Sequence, residues 1–142
     1  MTIMVDPPRA LTCWERSMLE ALLAEPLHGN DELRRQIDAL RVSERYSEGD
    51  PTVIFTIDKE SVPPASVTGM GLEERCCLDA DGMAIHVLLH AVDGYLWELE
   101  IVRMDGGPLL AEIDPSALQP ILWRQVVRPD GSSYWTYNAS DL

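Results

Sequence analysis

The chain has 142 residues, enough for one domain with a real core, and its 46 % apolar content is ordinary. Its formal net charge of −13 is not. A body this acidic repels phosphate backbones and gains nothing from counterion release, which argues against nucleic acid and anionic membranes as partners.

The charge is unevenly spread. Residues 1–119 hold 22 acids and 9 bases, whereas residues 120–142 hold two of each (Asp130, Asp141, Arg124, Arg128). Charge of one sign gives solubility, and it also steers a basic partner; composition leaves both readings open. Three cysteines, two of them adjacent at Cys76-Cys77, are no disulfide framework and lack metal-ligand spacing. They read as buried or half-buried thiols in a reducing compartment. With no basic-then-apolar leader at Met1–Pro8 and no apolar run near ~18 residues, the expectation is a cytoplasmic protein.

In chain order, Pro7-Pro8 keeps residues 1–10 out of a helix, and they are expected to form a loose arm. Thr12-Cys-Trp-Glu15 matches a capping box, so a helix begins at Thr12. Trp14, Met18, Leu19, Leu22 and Leu23 form its apolar stripe, and it stops by Glu25, ahead of Pro26. Asn30 is placed to cap a second helix over 31–41, with Leu33, Ile37 and Leu40 on one side. Val42 to Pro51 reads as a polar connection. Strands are expected at Val53–Ile57 and from about Ser66 to Leu78, the second broken near Gly69 or Gly71.

The most apolar stretch, Met83–Arg103, is a hairpin centred on Asp93-Gly94. A two-residue turn would place Glu98 opposite Leu89 and mix charge with core. A three-residue loop, Val92-Asp93-Gly94, with Gly94 in the left-handed region of a bulge, instead gathers Ile85, Val87, Leu89 and Ala91 with Tyr95, Trp97, Leu99 and Ile101. His86, Leu88 and His90 then share the other face with Leu96, Glu98, Glu100 and Val102. This register is the expected one.

Asp-Gly recurs at 81–82, 93–94 and 105–106, the rhythm of an antiparallel meander. The expected fold is therefore α+β: two N-terminal helices packed on a four-stranded antiparallel meander sheet, in a single domain with an aromatic C-terminal hairpin or tail. Its parts are the arm 1–10, a body 11–119 and an extension 120–142. Ile121–Arg128 and Ser133–Tyr137 flank Pro129-Asp-Gly-Ser132 as a small hairpin. Trp123, Tyr134, Trp135 and Tyr137 gather there, four of the nine aromatic residues. They are candidate partner-binding residues, or a cover for the chain's own sheet.

Chemistry has one constellation to draw on: His86, His90, Glu98 and Glu100. The expected register sets His86 opposite Glu100, an acid–base dyad or a structural cross-strand pair. His86 and His90 are about 13 Å apart at ~3.3 Å per residue, too far to share a metal. Asp79-x-Asp81-Gly82 loosely resembles a calcium loop, but the twelfth position from Asp79 is His90, where that loop carries a carboxylate. Phosphate-loop, nucleophile-elbow and metalloprotease motifs are absent. No catalytic residue, cofactor or metal is assigned.

Leu11-Thr-x-x-Glu-Arg16 with the Leu-rich helix after it, and Leu88-Leu-His-x-Val-Asp-Gly-Tyr-Leu-x-Glu-Leu-Glu-Ile101 followed by Asp105-Gly106, resemble a bacterial domain family of unknown function. The resemblance covers residues 11–110, leaves out the aromatic tail, and implies no activity, cofactor or catalytic residue. By size and charge alone the chain is also similar to small acidic immunity and antitoxin proteins. The resulting expectation is a non-enzymatic acidic protein that engages a protein partner, basic in character. A small-molecule site or enzyme on the His86/Glu100 face, and a homo-oligomer pairing through the tail hairpin, are the alternatives.

Overall fold

The computed structural model describes residues 2–121 and 123–137; for Trp123, Arg124, Trp135, Thr136 and Tyr137 it describes the backbone alone. It is mostly β. A seven-stranded antiparallel sheet carries two short helices, and a separate two-stranded sheet follows. This corrects the expectation of two helices on a four-stranded meander.

Three strands account for the difference. β1 (Ile3–Ala10) occupies the expected arm and pairs with β2 through Ile3, Met4, Arg9 and Ala10, with an irregularity between Met4 and Arg9. Pro7-Pro8 falls in that irregularity on an edge strand, where a missing N–H costs no ladder bond. β2 (Leu40–Arg45) takes the end of the expected second helix and part of the expected connection. β7 is only Gln119–Pro120, against β4.

α1 (Cys13–Leu22) forms as expected. The Thr12 hydroxyl accepts from the Glu15 N–H, and the Glu15 carboxylate accepts from the Thr12 N–H at 2.9 Å. Arg9 closes on the same carboxylate at 2.8 and 2.9 Å. Thr12→Ala removes one half of the box and is expected to cost about 1 kcal/mol, read as a lower urea midpoint at unchanged m-value.

α2 (Asn30–Gln36) is much shorter than expected. Gly29 stands at its N-cap, while the Asn30 side chain donates to the Glu25 carbonyl and the Glu73 carboxylate instead of capping. One 3-10 turn, Ile37–Ala39, follows, and the chain then extends into β2. Leu40 and Val42 remain apolar and buried, now by strand alternation rather than helical spacing.

The sheet order is β1-β2-β3-β6-β5-β4-β7, with β3 at Val53–Ile57, β4 at Gly69–Leu78, β5 at Ala84–Val92 and β6 at Tyr95–Arg103. β4, β5 and β6 are consecutive neighbours, but β3 lies beside β6 rather than β4, a Greek-key arrangement. The connection 58–68 must therefore cross the end of the β5–β6 hairpin. It is tied there: the Ala65 N–H donates to the Gly94 carbonyl at 2.8 Å, the Tyr95 hydroxyl to the Val62 carbonyl at 3.1 Å, and the Thr68 hydroxyl to the Ala91 carbonyl at 3.0 Å.

The hairpin also corrects the expected register. Val92 faces Tyr95 across a two-residue turn in which Asp93 (φ 54°) and Gly94 (φ 83°) are both left-handed, the type I′ geometry. The ladder then shifts. Ala91 faces Leu96, His90 faces Glu98, and Trp97 has no β5 partner. This bulge resets the faces, so that Leu89 meets Leu99 and Val87 meets Ile101. Leu96 is buried and Trp97 is 37 % exposed, the reverse of the expected assignment.

The core lies between one face of this sheet and the helices. Met18, Leu19, Leu22 and Leu23 of the first helical segment and Leu33 and Ile37 of the second pack on Val53, Phe55, Val87, Leu89 and Leu99. Gln36, completely buried, joins helix to hairpin: its Nε2 donates to the Gly94 carbonyl at 2.8 Å and its Oε1 accepts from the Leu96 N–H at 2.9 Å. No helix among the described residues is long and apolar enough to cross a membrane.

The expected C-terminal hairpin is present as β8 (Trp123–Val127) and β9 (Ser133–Tyr137). Its turn is closed by the Arg128 N–H on the Ser132 carbonyl.

Candidate functional site

The sheet face away from the helices carries His86, His90, Glu98 and Glu100, as the alternation in the sequence requires. Their partners differ from the expected ones. His86 faces Val102 and its Nδ1 lies 3.1 Å from Glu74 Oε1 on β4. Glu100 faces Leu88, so no His86–Glu100 dyad forms. The bulge at Trp97 gathers His90, Glu98 and Glu100 instead.

His90 Nε2 lies 2.9 Å from Glu100 Oε1 and 3.6 Å from Glu98 Oε1. Tyr46, just beyond β2, donates its hydroxyl to Glu98 Oε2 at 3.3 Å. His90 and Glu98 are 3 % and 6 % exposed, while Glu100 is half-buried. Burial first, and then the charge of Glu100, hold the Glu98 carboxyl above the usual range. Burial and the Glu98 charge likewise raise the Tyr46 phenol.

The ligand atoms of His90, Glu98 and Glu100 lie within 4.8 Å of one another, a spacing that a divalent cation could bridge. The far side of the ring argues otherwise. The Gly71 N–H donates to His90 Nδ1 at 2.6 Å, so Nδ1 must present its lone pair. The neutral ring then carries its proton on Nε2, pointing at the carboxylates. A flipped ring would put carbon atoms against both partners. A metal at Nε2 would need that proton removed as well, whereas metal-binding imidazoles ordinarily donate from the other nitrogen. The donor set is therefore a hydrogen-bonded cluster: an N–H on the Glu100 carboxylate, with the Glu98 carboxyl, held above its usual range, beside it at 3.6 Å.

A carboxyl raised on folding favours the protonated native state, so stability falls as pH rises from the unfolded value through the folded one. Glu98→Gln keeps an acceptor for Tyr46 and removes the buried charge. It is expected to raise the melting temperature at about pH 8, with the advantage shrinking as the pH is lowered toward ~4. Equal melting curves at both pH values would show that the carboxyl is not perturbed.

Glu100 also lines a cavity of about 400 Å³ at the end of the sheet, with Tyr46, Glu48, Asp50 and Arg103. A second cavity of about 400 Å³ adjoins it, sharing Gly49, Asp50, Pro51 and Leu109, and is walled by Trp14, Leu110 and Ile113. The Trp14 indole N–H donates to the Ile113 carbonyl at 2.8 Å. Sequence reading missed these cavities, because the loops that frame them, 46–52 and 106–113, carry no periodic signal.

Arg103 is fully engaged. Its guanidinium bonds Asp79 at 2.8 Å, Asp81 at 2.6 and 2.9 Å, and Asp105 at 2.8 and 3.0 Å. The Asp79-x-Asp81 pair that resembles a calcium loop thus holds a cation of the chain itself. Hydrogen bonding from Arg103 draws the Asp105 carboxyl down to about 2 and lowers Asp81, while the Leu110 N–H first, and then Arg103, lower Asp79. All three cysteines are free thiols; Cys76 and Cys77 are buried, whereas Cys13 is exposed, against the expectation, and burial pushes Cys77 up to about 11.

Of the candidate partner-binding aromatics, Tyr134 is 41 % exposed beneath the Arg128 guanidinium, 4.2 Å from its ring centre. The side chains of Trp123, Trp135 and Tyr137 lie outside the described part of the structure.

Comparison with curated proteins and with solved structures yields no match. A family model does match, over residues 8–113. That span runs from the end of β1 to the carbonyl that Trp14 holds, so it takes in the His90 cluster, the Arg103 clamp and both cavities, and it leaves out the β8–β9 hairpin. The chain accordingly belongs to DUF6984, a domain of unknown function.

Proposed function

We propose that this chain is a non-enzymatic binding protein whose acidic surface engages a basic protein partner. The observation that carries this reading is how the positive charge is used. Arg9, Arg16, Arg34, Arg75 and Arg103 are all paired with carboxylates of the same chain. With 24 acids against 11 bases, the surplus charge on the molecule is negative. A surplus of one sign steers an oppositely charged partner and makes the association salt-dependent. An immunity- or antitoxin-like role is one form of this reading and rests on size and charge. A cytoplasmic setting fits the free thiols.

The test is retention by the immobilised whole chain at low salt, release at ~0.5 M salt, and binding of the released protein after purification. A basic protein that rebinds with a steep salt dependence is the expected result. If nothing is retained, or if retention ignores salt, the reading fails.

A second reading, a small-molecule site, is favoured by Glu100, which both accepts from His90 and lines a cavity. It predicts a ligand that raises the melting temperature of the native chain and loses that effect in His90→Asn.

A further inference from the structure

The two adjoining cavities differ in character, and together they describe what the partner presents. The first contains Glu48, Asp50 and Glu100; the second is walled largely by Trp14, Pro51, Leu109 and Leu110. Arg103 is the one basic residue among the described lining residues, and three aspartates already hold it. Leu110 is 57 % exposed.

The segment along one side has a property of its own. Residues 107–113 make no backbone–backbone hydrogen bond with any described residue. They are held through side chains: Asp105 on the Gly107 N–H, Asp79 on the Leu110 N–H, and the Trp14 indole on the Ile113 carbonyl. The stretch is fixed in place from below, and other peptide groups in it remain free to pair with an incoming chain.

We propose that the depression between residues 46–51 and 106–113 docks an extended segment of the partner in which a basic side chain neighbours a large apolar one. The basic group enters the half containing Asp50 and Glu100. The apolar group lies against Trp14, Pro51, Leu109 and Leu110. The partner's backbone runs beside 107–113. Charge complementarity selects this occupant: an acidic segment would be repelled by the same carboxylates, and a purely apolar one would leave them unanswered. The proposal rests on the acidic binding reading above and gives it a location.

The probe is the peptide acetyl-Gly-Gly-Arg-Leu-Gly-Gly-amide, titrated into the isotope-labelled whole chain and followed by amide NMR at low salt and at ~0.3 M salt. Controls carry Glu for Arg, or Ser for Leu. Saturable shifts confined to residues 46–51 and 106–113 are expected. Asp50→Asn and Glu100→Gln, which keep a carbonyl acceptor for the Thr52 N–H and for His90, should each weaken binding roughly five- to tenfold. Leu110→Ser, at an exposed position, should weaken it roughly threefold. The Glu peptide should not bind. Binding that maps to other residues, or is unchanged in these variants, overturns the docking site while leaving an acidic binding protein. If neither the Arg nor the Ser peptide binds at low salt, both the site and the reading beneath it fall.

Discussion

Gly94→Val should lower stability by about 3–5 kcal/mol, enough to depress the melting temperature by roughly 10–20 °C. Two costs add. The residue sits at φ +83°, where a β-branched side chain is strained. A β-carbon there would also stand 2.6 Å from the Ala65 carbonyl oxygen and 2.8 Å from Pro64 Cβ. These atoms belong to the crossing connection, and moving it would break the Ala65–Gly94 hydrogen bond. Gly106 supplies the control. It is also left-handed, at φ +76°, but nothing lies within 4 Å of its would-be β-carbon. Gly106→Ala should therefore cost only about 1 kcal/mol, and Gly94→Ala clearly more. Equal losses at the two positions would mean that the crossing strap does not press on the turn.

Gln36→Leu should cost about 2–4 kcal/mol although it swaps a polar core residue for an apolar one of similar size. The loss comes from what stays behind: the Leu96 N–H loses its acceptor and the Gly94 carbonyl keeps only Ala65. Gln36→Glu separates this from simple packing. A carboxylate can accept from Leu96 but faces the Gly94 carbonyl without a proton to donate. Its damage should exceed that of the leucine variant near pH 7 and shrink on acidification, because a buried carboxyl with a raised pKa favours the folded state while protonated. Denaturation midpoints of the two variants at about pH 7 and about pH 5 decide the matter. Combined with Gly94→Ala, the Gln36→Leu loss should be less than additive, since both act on one carbonyl.

Much of the local grammar was legible. The capping box at Thr12, β3, the long β4, the two strands of the central hairpin and the tail hairpin all follow from cap, alternation and turn chemistry. Two signals in the sequence are ambiguous. Pro7-Pro8 excludes a helix but not an edge strand, so β1 reads as an arm from sequence. Leu33, Ile37 and Leu40 continue helical spacing across a point where the chain becomes extended, so the start of β2 reads as helix and its remainder, from Val42, as polar connection.

The hairpin register is more instructive. Turn chemistry called for two residues, and segregation of core from charge called for a one-residue shift. A bulge at Trp97 satisfies both, and no pattern in Leu96-Trp97 announces it. This single residue decides the candidate site, because it brings His90 rather than His86 to the glutamates. The strand order was illegible for a different reason. β3 beside β6 is a non-local pairing, sustained by contacts of the 58–68 connection that have no short-range signature.

The prolines of β1 bear on how the molecule behaves in a crowd. A terminal strand of a sheet ordinarily offers its outer row of amides to any passing chain, the first step toward ordered aggregates. Pro7 and Pro8 carry no amide proton to offer, and the break in pairing between Met4 and Arg9 interrupts the regular spacing that a templated strand would need. At the opposite side, β7 occupies only the positions opposite Arg75 and Cys76. The two margins are thus guarded unequally: one is made chemically unfit for growth, and the other is covered only opposite Arg75 and Cys76.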